Sequence, residues 1–330
     1  MKKMKSLALL GLLLAGVAGL VACGKGAKES SGSKIDFVLD WSPNTNHTGL
    51  YVAKDKGYFK EAGLDVDIKL PVEDSTSDLI INGKTPFGIY FQDSMAKKLE
   101  KGAEITAVAA IVEHNTSGII ASEQSGITGP KDMEGKKYGT WNDPIELGMI
   151  KDLMTSQGAD FEKLELVPNN DSNSITPIEN GLFDAAWIYY GWDGIMAQHQ
   201  GMKTRFFYMK DFVPALDYYS PVIIANNDYL KDNPDQAKKF IQAVKKGYQY
   251  AMEHPDEAAD ILIKNAPQLE KQKDFVKASQ AYLSKNYASD KNKWGLIDQD
   301  RWNAFYGWSK ETGLIDKDLK DQGFSNDYVK

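Results

Sequence analysis

The chain is 330 residues long, 42% hydrophobic and 26% charged, a globular composition with room for about two domains. Its 39 basic and 46 acidic residues give a formal net charge of −7, which argues against the basic face that nucleic-acid binding requires. One cysteine, Cys23, excludes an internal disulfide or a cysteine-rich metal site, and four scattered histidines (His47, His114, His199, His254) argue against a histidine centre.

Lys2, Lys3 and Lys5 precede an apolar run from Leu7 to Ala22. That run is shorter than the roughly 20 residues a bilayer-spanning helix needs, so residues 1–22 read as a signal peptide. It ends Leu20-Val21-Ala22-Cys23-Gly24, which resembles the bacterial lipobox, where the cysteine becomes a diacylated N-terminus. Two acyl chains anchor stably where one does not. The alternative is a secreted chain whose cysteine stands there by chance. Removing residues 1–22 takes three lysines and leaves 36 basic against 46 acidic groups, net −10. Residues 23–33, rich in Gly, Ser and Lys, read as a flexible tether.

From Lys34 the pattern alternates. Ile35–Asp40 reads as a strand, His47–Lys56 as a helix stopped by Gly57, and Leu64–Leu70 as a strand with apolar residues at every second position. A helix ending at Asn82-Gly83 precedes the short strand Phe87–Tyr90. A helix over Asp93–Lys101 then leads into the apolar strand Ile105–Val112. The beat resumes with strand Lys137–Thr140, helix Pro144–Gln157, strand Leu164–Val167, a short helix ending at Asn180-Gly181, strand Asp184–Tyr189 and a helix ending before Gly201. Met196, Met202 and Met209 read as core. Strand alternating with helix predicts mainly parallel sheets covered on both faces. From Pro234 long amphipathic helices take over: Pro234–Met252, Asp256–Asn265, Glu270–Asn286 and Asp298–Thr312. Two α/β runs joined near Ser117–Ser122 and Tyr219–Ala225 predict one lobe (34–117 and 225–330) with a second (118–224) inserted in it.

Catalytic signatures are missing. There is no His-Glu-x-x-His, no Gly-x-Ser-x-Gly elbow, no dinucleotide fingerprint, and the glycines near Gly129 and Gly135 are misspaced for a phosphate loop. Aromatics instead gather at strand ends and loops: Trp41, Tyr90, Phe91, Trp141, Tyr189, Tyr190, Trp192, Tyr218 and Tyr219. Ligands of open α/β sheets bind beyond the carboxyl ends of strands, and aromatic planes there suit a flat conjugated ligand. The plainer reading of each is a core cap or lobe packing.

The segment Asp40-Trp41-Ser42-Pro43-Asn44-Thr45-Asn46-His47-Thr48-Gly49-Leu50-Tyr51-Val52-Ala53, running on to Gly57-Tyr58-Phe59, resembles the opening of the thiamine-pyrimidine-precursor binding lipoproteins of ABC transporters. Further matches are Gly88-Ile89-Tyr90 with Gln92-Asp93-Ser94, Ser117-Gly118-Ile119-Ile120, Pro144-Ile145-Glu146, and Gly181-Leu182-Phe183-Asp184-Ala185 followed by Trp192-Asp193. The Gly-x-x-Asp-Ala element is common to many binding proteins and marks the fold alone. The resemblance implies a two-lobed α/β fold of the periplasmic-binding-protein type (type II, venus-flytrap). It also implies delivery of a 4-amino-2-methylpyrimidine, hydroxymethyl or formylaminomethyl, to an ABC permease and its ATPase.

An aminopyrimidine presents an exocyclic amine beside a ring nitrogen, and a carboxylate engages both when the ring is protonated. The resemblance points to Asp193 for that role, although relatives often have Glu there and an aspartate at this position also suits a helix N-cap. Asn44 and His47 flank the first helix and either contact ligand or cap that helix. Trp41 is the stacking candidate, Tyr90, Trp141, Tyr189 and Trp192 are walls, and Gln92 and Ser117 are further polar candidates. Glu146 either reaches ligand or simply sits in a helix first turn, where a carboxylate is favoured anyway.

No cofactor, metal or nucleic-acid partner is expected. The expectation is a non-enzymatic monomer held by Cys23 on the extracytoplasmic face of the cell membrane. Three alternatives stand beside it. One is a pyrimidine synthase like the fungal members of the superfamily, which carry a cysteine-rich iron-binding motif that this chain lacks. Another is a surface adhesin. The last is a binding protein of this fold for riboflavin or a sulfonate, the latter disfavoured by having only two arginines, Arg205 and Arg301.

Overall fold

The computed structural model describes residues 32–71, 76–169 and 173–330; the predicted signal peptide, Cys23 and the tether through Ser31 lie outside the described residues. Strand β1 (Ser33–Val38) begins two residues earlier than expected, because the Ser33 N–H bonds the Gly63 carbonyl at 3.1 Å and starts the register with β2 (Leu64–Lys69). Between them lie a 3-10 turn (Thr45–His47) and helices α1 (Thr48–Asp55) and α2 (Tyr58–Glu61). Then come α3 (Thr76–Ile81), β3 (Phe87–Tyr90), α4 (Gln92–Glu100) and β4 (Ile105–Ala110).

The chain next crosses into a second sheet. It runs through β5 (Ser117–Ser122), β6 (Lys137–Thr140), α5 (Pro144–Thr155), β7 (Glu165–Pro168), α6 (Ile175–Glu179) and β8 (Ala185–Tyr189), then through a π-helical turn (Tyr190–Gly194), α7 (Ile195–His199) and β9 (Thr204–Tyr208). It returns to the first sheet with β10 (Val222–Asn226) and α8 (Asn227–Asp232). The remainder is α9 (Pro234–Glu253), α10 (Pro255–Asn265), α11 (Lys273–Leu283) and α12 (Gln299–Glu311). Among the described residues no helix is long and apolar enough to cross a membrane.

The strand orders are β2-β1-β3-β10-β4 and β7-β6-β8-β5-β9, so the strands of the second lobe all fall between β4 and β10 of the first. The sheets are mixed rather than simply parallel. β10 runs antiparallel to β3 and β4, and β5 antiparallel to β8 and β9. Both are the strands by which the chain enters a sheet from the other lobe, arriving from the opposite end. Strand β9 has no counterpart in the sequence pattern. It pairs only with β5 at the sheet edge and none of its residues is fully buried, so it lacks the clean alternation of β2.

The first lobe closes around the amphipathic face of α9. Phe240 stacks 4.5 Å from Phe87 and 5.5 Å from Phe59, and Tyr248 lies 4.4 Å from Trp294. Helices α1 and α9 touch backbone to backbone. A Cβ at Gly247 would lie 2.0 Å from the Gly49 carbonyl oxygen, and one at Gly49 would lie 2.3 Å from the Tyr248 ring. This contact fixes α1, and with it the loop that feeds α1 from the end of β1. Helix α11 contributes Phe275, Val276 and Leu283 to the same core, and Trp192, Ile195 and Met196 of the second lobe pack against it. Met209 is fully buried, whereas Met196 and Met202 are only partly so.

Candidate functional site

A cleft of about 460 Å³ is lined by Asp40, Trp41, Asn44, Asn46, Phe91 and Pro221 from the first-sheet side and the returning crossover. From the second-sheet side come Trp141, Asn169, Ser174, Trp187, Ile188, Tyr189, Trp192 and Asp193. Most of these residues sit at or just beyond the carboxyl ends of β1, β3, β6, β7 and β8, where open α/β sheets hold ligands. Of the residues singled out in the sequence, Trp41, Asn44, Trp141, Tyr189, Trp192 and Asp193 line this space. His47, Tyr90, Gln92, Ser117 and Glu146 do not.

The loop after β1 shows how polar groups are divided between ligand side and scaffold. Asn44 caps the 3-10 turn: its Oδ1 accepts from the Asn46 N–H at 2.9 Å and its Nδ2 donates to the Ser42 carbonyl at 3.1 Å. It therefore both caps and lines the cleft. His47 is fully buried. Its Nδ1 accepts from the Asn44 N–H at 3.2 Å, which places the proton on Nε2, donated to Asp40 Oδ1 at 2.7 Å. The imidazole thus orients Asp40, the residue that faces the cleft.

Glu146 is a brace. Its carboxylate accepts from the Tyr138 hydroxyl (2.9 Å), the Thr140 hydroxyl (2.9 Å) and the Trp141 N–H (3.1 Å). Burial raises its pKa, the opposing hydrogen bonds notwithstanding. The first turn of α5 is capped by Asp143, and Asn142 takes a left-handed φ of 61°, so the sharp turn leaves Trp141 48% exposed above the cleft. Gln92 is also consumed structurally: it donates to the Trp302 carbonyl at 2.9 Å and accepts from the Tyr219 N–H at 2.8 Å. Tyr90 packs beside Phe91 with ring centroids 5.9 Å apart, and burial raises its pKa. The Ser117 N–H donates to Asn115 at 2.7 Å, while its buried hydroxyl has no hydrogen-bond partner among the described residues. Tyr218 packs at a tilt against Phe305, ring centroids 4.5 Å apart, and Tyr219 lies beneath Arg301 at 4.2 Å, so α12 covers both of these strand-end aromatics.

The far wall is aromatic. Trp187 stands 5.4 Å from Trp141 and 6.2 Å from Tyr189, whose hydroxyl is 2.9 Å from that of Ser220 in the returning crossover. Trp192 and Asp193 come from the π-helical turn, which follows directly on β8; the residue in N-cap position is Tyr189, so Asp193 is not a cap. Burial pushes the Asp193 carboxyl up to about 6, with no charged neighbour among the causes. The lining contains two carboxylates, Asp40 and Asp193, and no lysine or arginine. Such a cleft can stack a flat ring, offer amide and hydroxyl groups around its rim, and neutralise a positive charge. Among the described residues no group of three or more His, Cys, Asp or Glu side chains could hold a metal ion.

Two α/β lobes enclosing a ligand-sized cleft define the periplasmic-binding-protein class of fold. The ligand-binding component of an ABC-type import system from Staphylococcus aureus shares it, with a TM-score of 0.67 over 90% of this chain and 98% of that one at 14% identity. The family described as NMT1/THI5 like matches residues 44–258, more than half of the chain, and the chain belongs to it. Among curated relatives, the formylaminopyrimidine-binding protein of Halalkalibacterium halodurans is 25% identical, covering 92% of this chain and 93% of its own. The 4-amino-5-hydroxymethyl-2-methylpyrimidine phosphate synthase THI13 of Saccharomyces cerevisiae is 27% identical, over 91% and 88%. Binding proteins and synthases therefore share the family.

Proposed function

We propose that this chain is the solute-binding protein of an ABC importer and captures a thiamine pyrimidine precursor, the 4-amino-2-methylpyrimidine bearing a hydroxymethyl or formylaminomethyl group, between its lobes. The observation that carries this reading is the lining itself: Trp41, Trp141, Trp187, Tyr189 and Trp192 surround two carboxylates with no basic side chain among them. Trp41 and the Trp141–Trp187 pair stack the ring, Asp193 engages the amine and the protonated ring nitrogen, and Asn44 serves the remaining polar edge. The relative named for formylaminopyrimidine binding supports the ligand class. No covalent step is involved: the ligand stabilises the closed arrangement of the lobes, which the permease and ATPase then read. Cys23 carries the lipid anchor on the extracytoplasmic face, and the chain acts as a monomer.

A second reading keeps the fold and exchanges the ligand. Aromatic walls serve the ring of riboflavin as well, whereas a sulfonate would lie against Asp40 and Asp193 with no cation to meet it. Thermal-shift and calorimetric titration of the chain with both aminopyrimidines, thiamine, riboflavin, taurine and nitrate separates these. A ligand at 100-fold over its Kd stabilises by about 2.7 kcal/mol. Silence from both aminopyrimidines with a response to another member overturns the proposal.

A further inference from the structure

One buried hydroxyl ties the two ligand-facing segments together. Ser279, on α11 of the first lobe, is fully buried, and its Oγ lies 2.5 Å from the Gly191 carbonyl oxygen and 2.6 Å from Thr45 Oγ1. A carbonyl can only accept, so the single Ser279 proton goes to Gly191 and the Thr45 hydroxyl donates to Ser279. The Thr45 carbonyl in turn accepts from the Tyr287 hydroxyl at 2.5 Å. Thr45 belongs to the turn between Asn44 and Asn46, which line the cleft from the first lobe. Gly191 belongs to the π turn that presents Trp192 and Asp193 from the second. The same junction is packed by carbon. Phe275 of α11 meets Trp192 edge-on at 4.6 Å, and a Cβ at Gly191 would fall 2.8 Å from Leu283 of α11.

We propose, resting on the aminopyrimidine-binding reading above, that Ser279 is a positioning residue: its hydroxyl latches the π turn of the second lobe to the Asn44–Asn46 turn of the first, holding both in register for the ligand. The Thr45–Ser279–Gly191 chain spans the lobes, so it exists only when they are together, and its formation favours the state in which Trp192 and Asp193 face Asn44. A ligand that closes the lobes gains this chain without touching it, which is a bias between two populations rather than a contact.

The test compares the parent chain with Ser279→Ala and Thr45→Val by calorimetry with 4-amino-5-hydroxymethyl-2-methylpyrimidine and by small-angle X-ray scattering without ligand. Each variant is expected to bind at least tenfold more weakly and to show a larger ligand-free radius of gyration. The double variant is expected to bind no more weakly than the worse single one, because both break one chain. Thr45→Val keeps the test alive should Ser279→Ala fail to fold. A fall in melting temperature alone, with affinity within twofold and an unchanged radius, marks Ser279 as purely structural and overturns the latch. If the parent ignores both aminopyrimidines, the ligand reading fails, and the radius comparison alone decides on Ser279.

Discussion

Glu146 accepts a hydrogen bond from the backbone N–H of Trp141 at 3.1 Å, so a buried carboxylate sets the position of an indole that is 48% exposed. The chemistry of the cleft and the order of the loops around it are supplied by different residues, and substitutions should separate the two.

Replacing Glu146 by Ala leaves the Tyr138 and Thr140 hydroxyls and the Trp141 N–H to find new partners in a buried site. The expected result is a stability loss of about 2–4 kcal/mol together with weaker ligand binding, since the Trp141 loop loses its brace. Denaturant melts and calorimetry on the same protein measure both; full affinity in the Ala variant would show that Trp141 is positioned without Glu146.

Asp193→Asn should act on stability and affinity in opposite directions. Burial raises this carboxyl from 3.8 to about 6, so the folded chain holds a proton over that interval that the unfolded chain releases. The associated stability is complete below about pH 4, declines as pH rises and is gone above about pH 6. The Asn variant therefore melts with the parent near pH 4 and above it at pH 8, by at most about 3 kcal/mol. Binding of the protonated aminopyrimidine should weaken about 10- to 100-fold. Unchanged affinity at pH 7 would remove Asp193 from the ligand.

Trp41 is 51% exposed at the cleft, so Trp41→Ala should cost little folding energy, within about 0.5 kcal/mol, while ligand affinity falls at least tenfold. A ligand titration followed by intrinsic fluorescence reads this directly; retention of affinity would move the stacking role to Trp141 and Trp187.

Gly247→Ala tests the scaffold alone. The added Cβ meets backbone, 2.0 Å from the Gly49 carbonyl oxygen, so α1 and α9 must separate. A loss of about 2–3 kcal/mol or more is expected on thermal melting. A wild-type melting temperature would mean that the two helices can slide apart freely.

The legible parts of the fold were those written locally. The alternation of Leu64, Val66 and Ile68 gave β2, and the stripe Phe240, Val244, Tyr248 gave the buried face of α9. Strand β9 escaped because an edge strand paired on one side carries no strict alternation. At the site, Trp41, Phe91, Trp141, Tyr189 and Trp192 are visible as aromatics at strand ends and in loops, while Asp40, Trp187, Asn169 and Ser174 reach the cleft only through the packing of two sheets. Their one sequence signal is position: Asp40 and Asn169 follow strands and Ser174 stands at a helix N-cap, while Trp187 lies inside β8 with no such signal. Polar residues were the hard cases. Gln92 and Glu146 stand where ligand contacts belong, yet they satisfy backbone groups and hydroxyls of their own lobes, and only partner distances separate a brace from a contact.

If Trp192 and Asp193 contact the ligand as proposed, the π-helical turn Tyr190–Gly194 makes chain length a determinant of recognition. Such a turn holds one residue more than the α-helical turn it replaces, and each residue of an α-helix advances the side-chain direction by about 100°. Shortening this segment by one residue would let it wind as ordinary α-helix and swing Trp192 and Asp193 around the axis, away from Asn44. Substituting either residue changes what is presented to the ligand; only an insertion or deletion changes where it is aimed. Ligand preference in proteins built on this plan can therefore shift by a change in spacing while every residue type in the cleft stays the same.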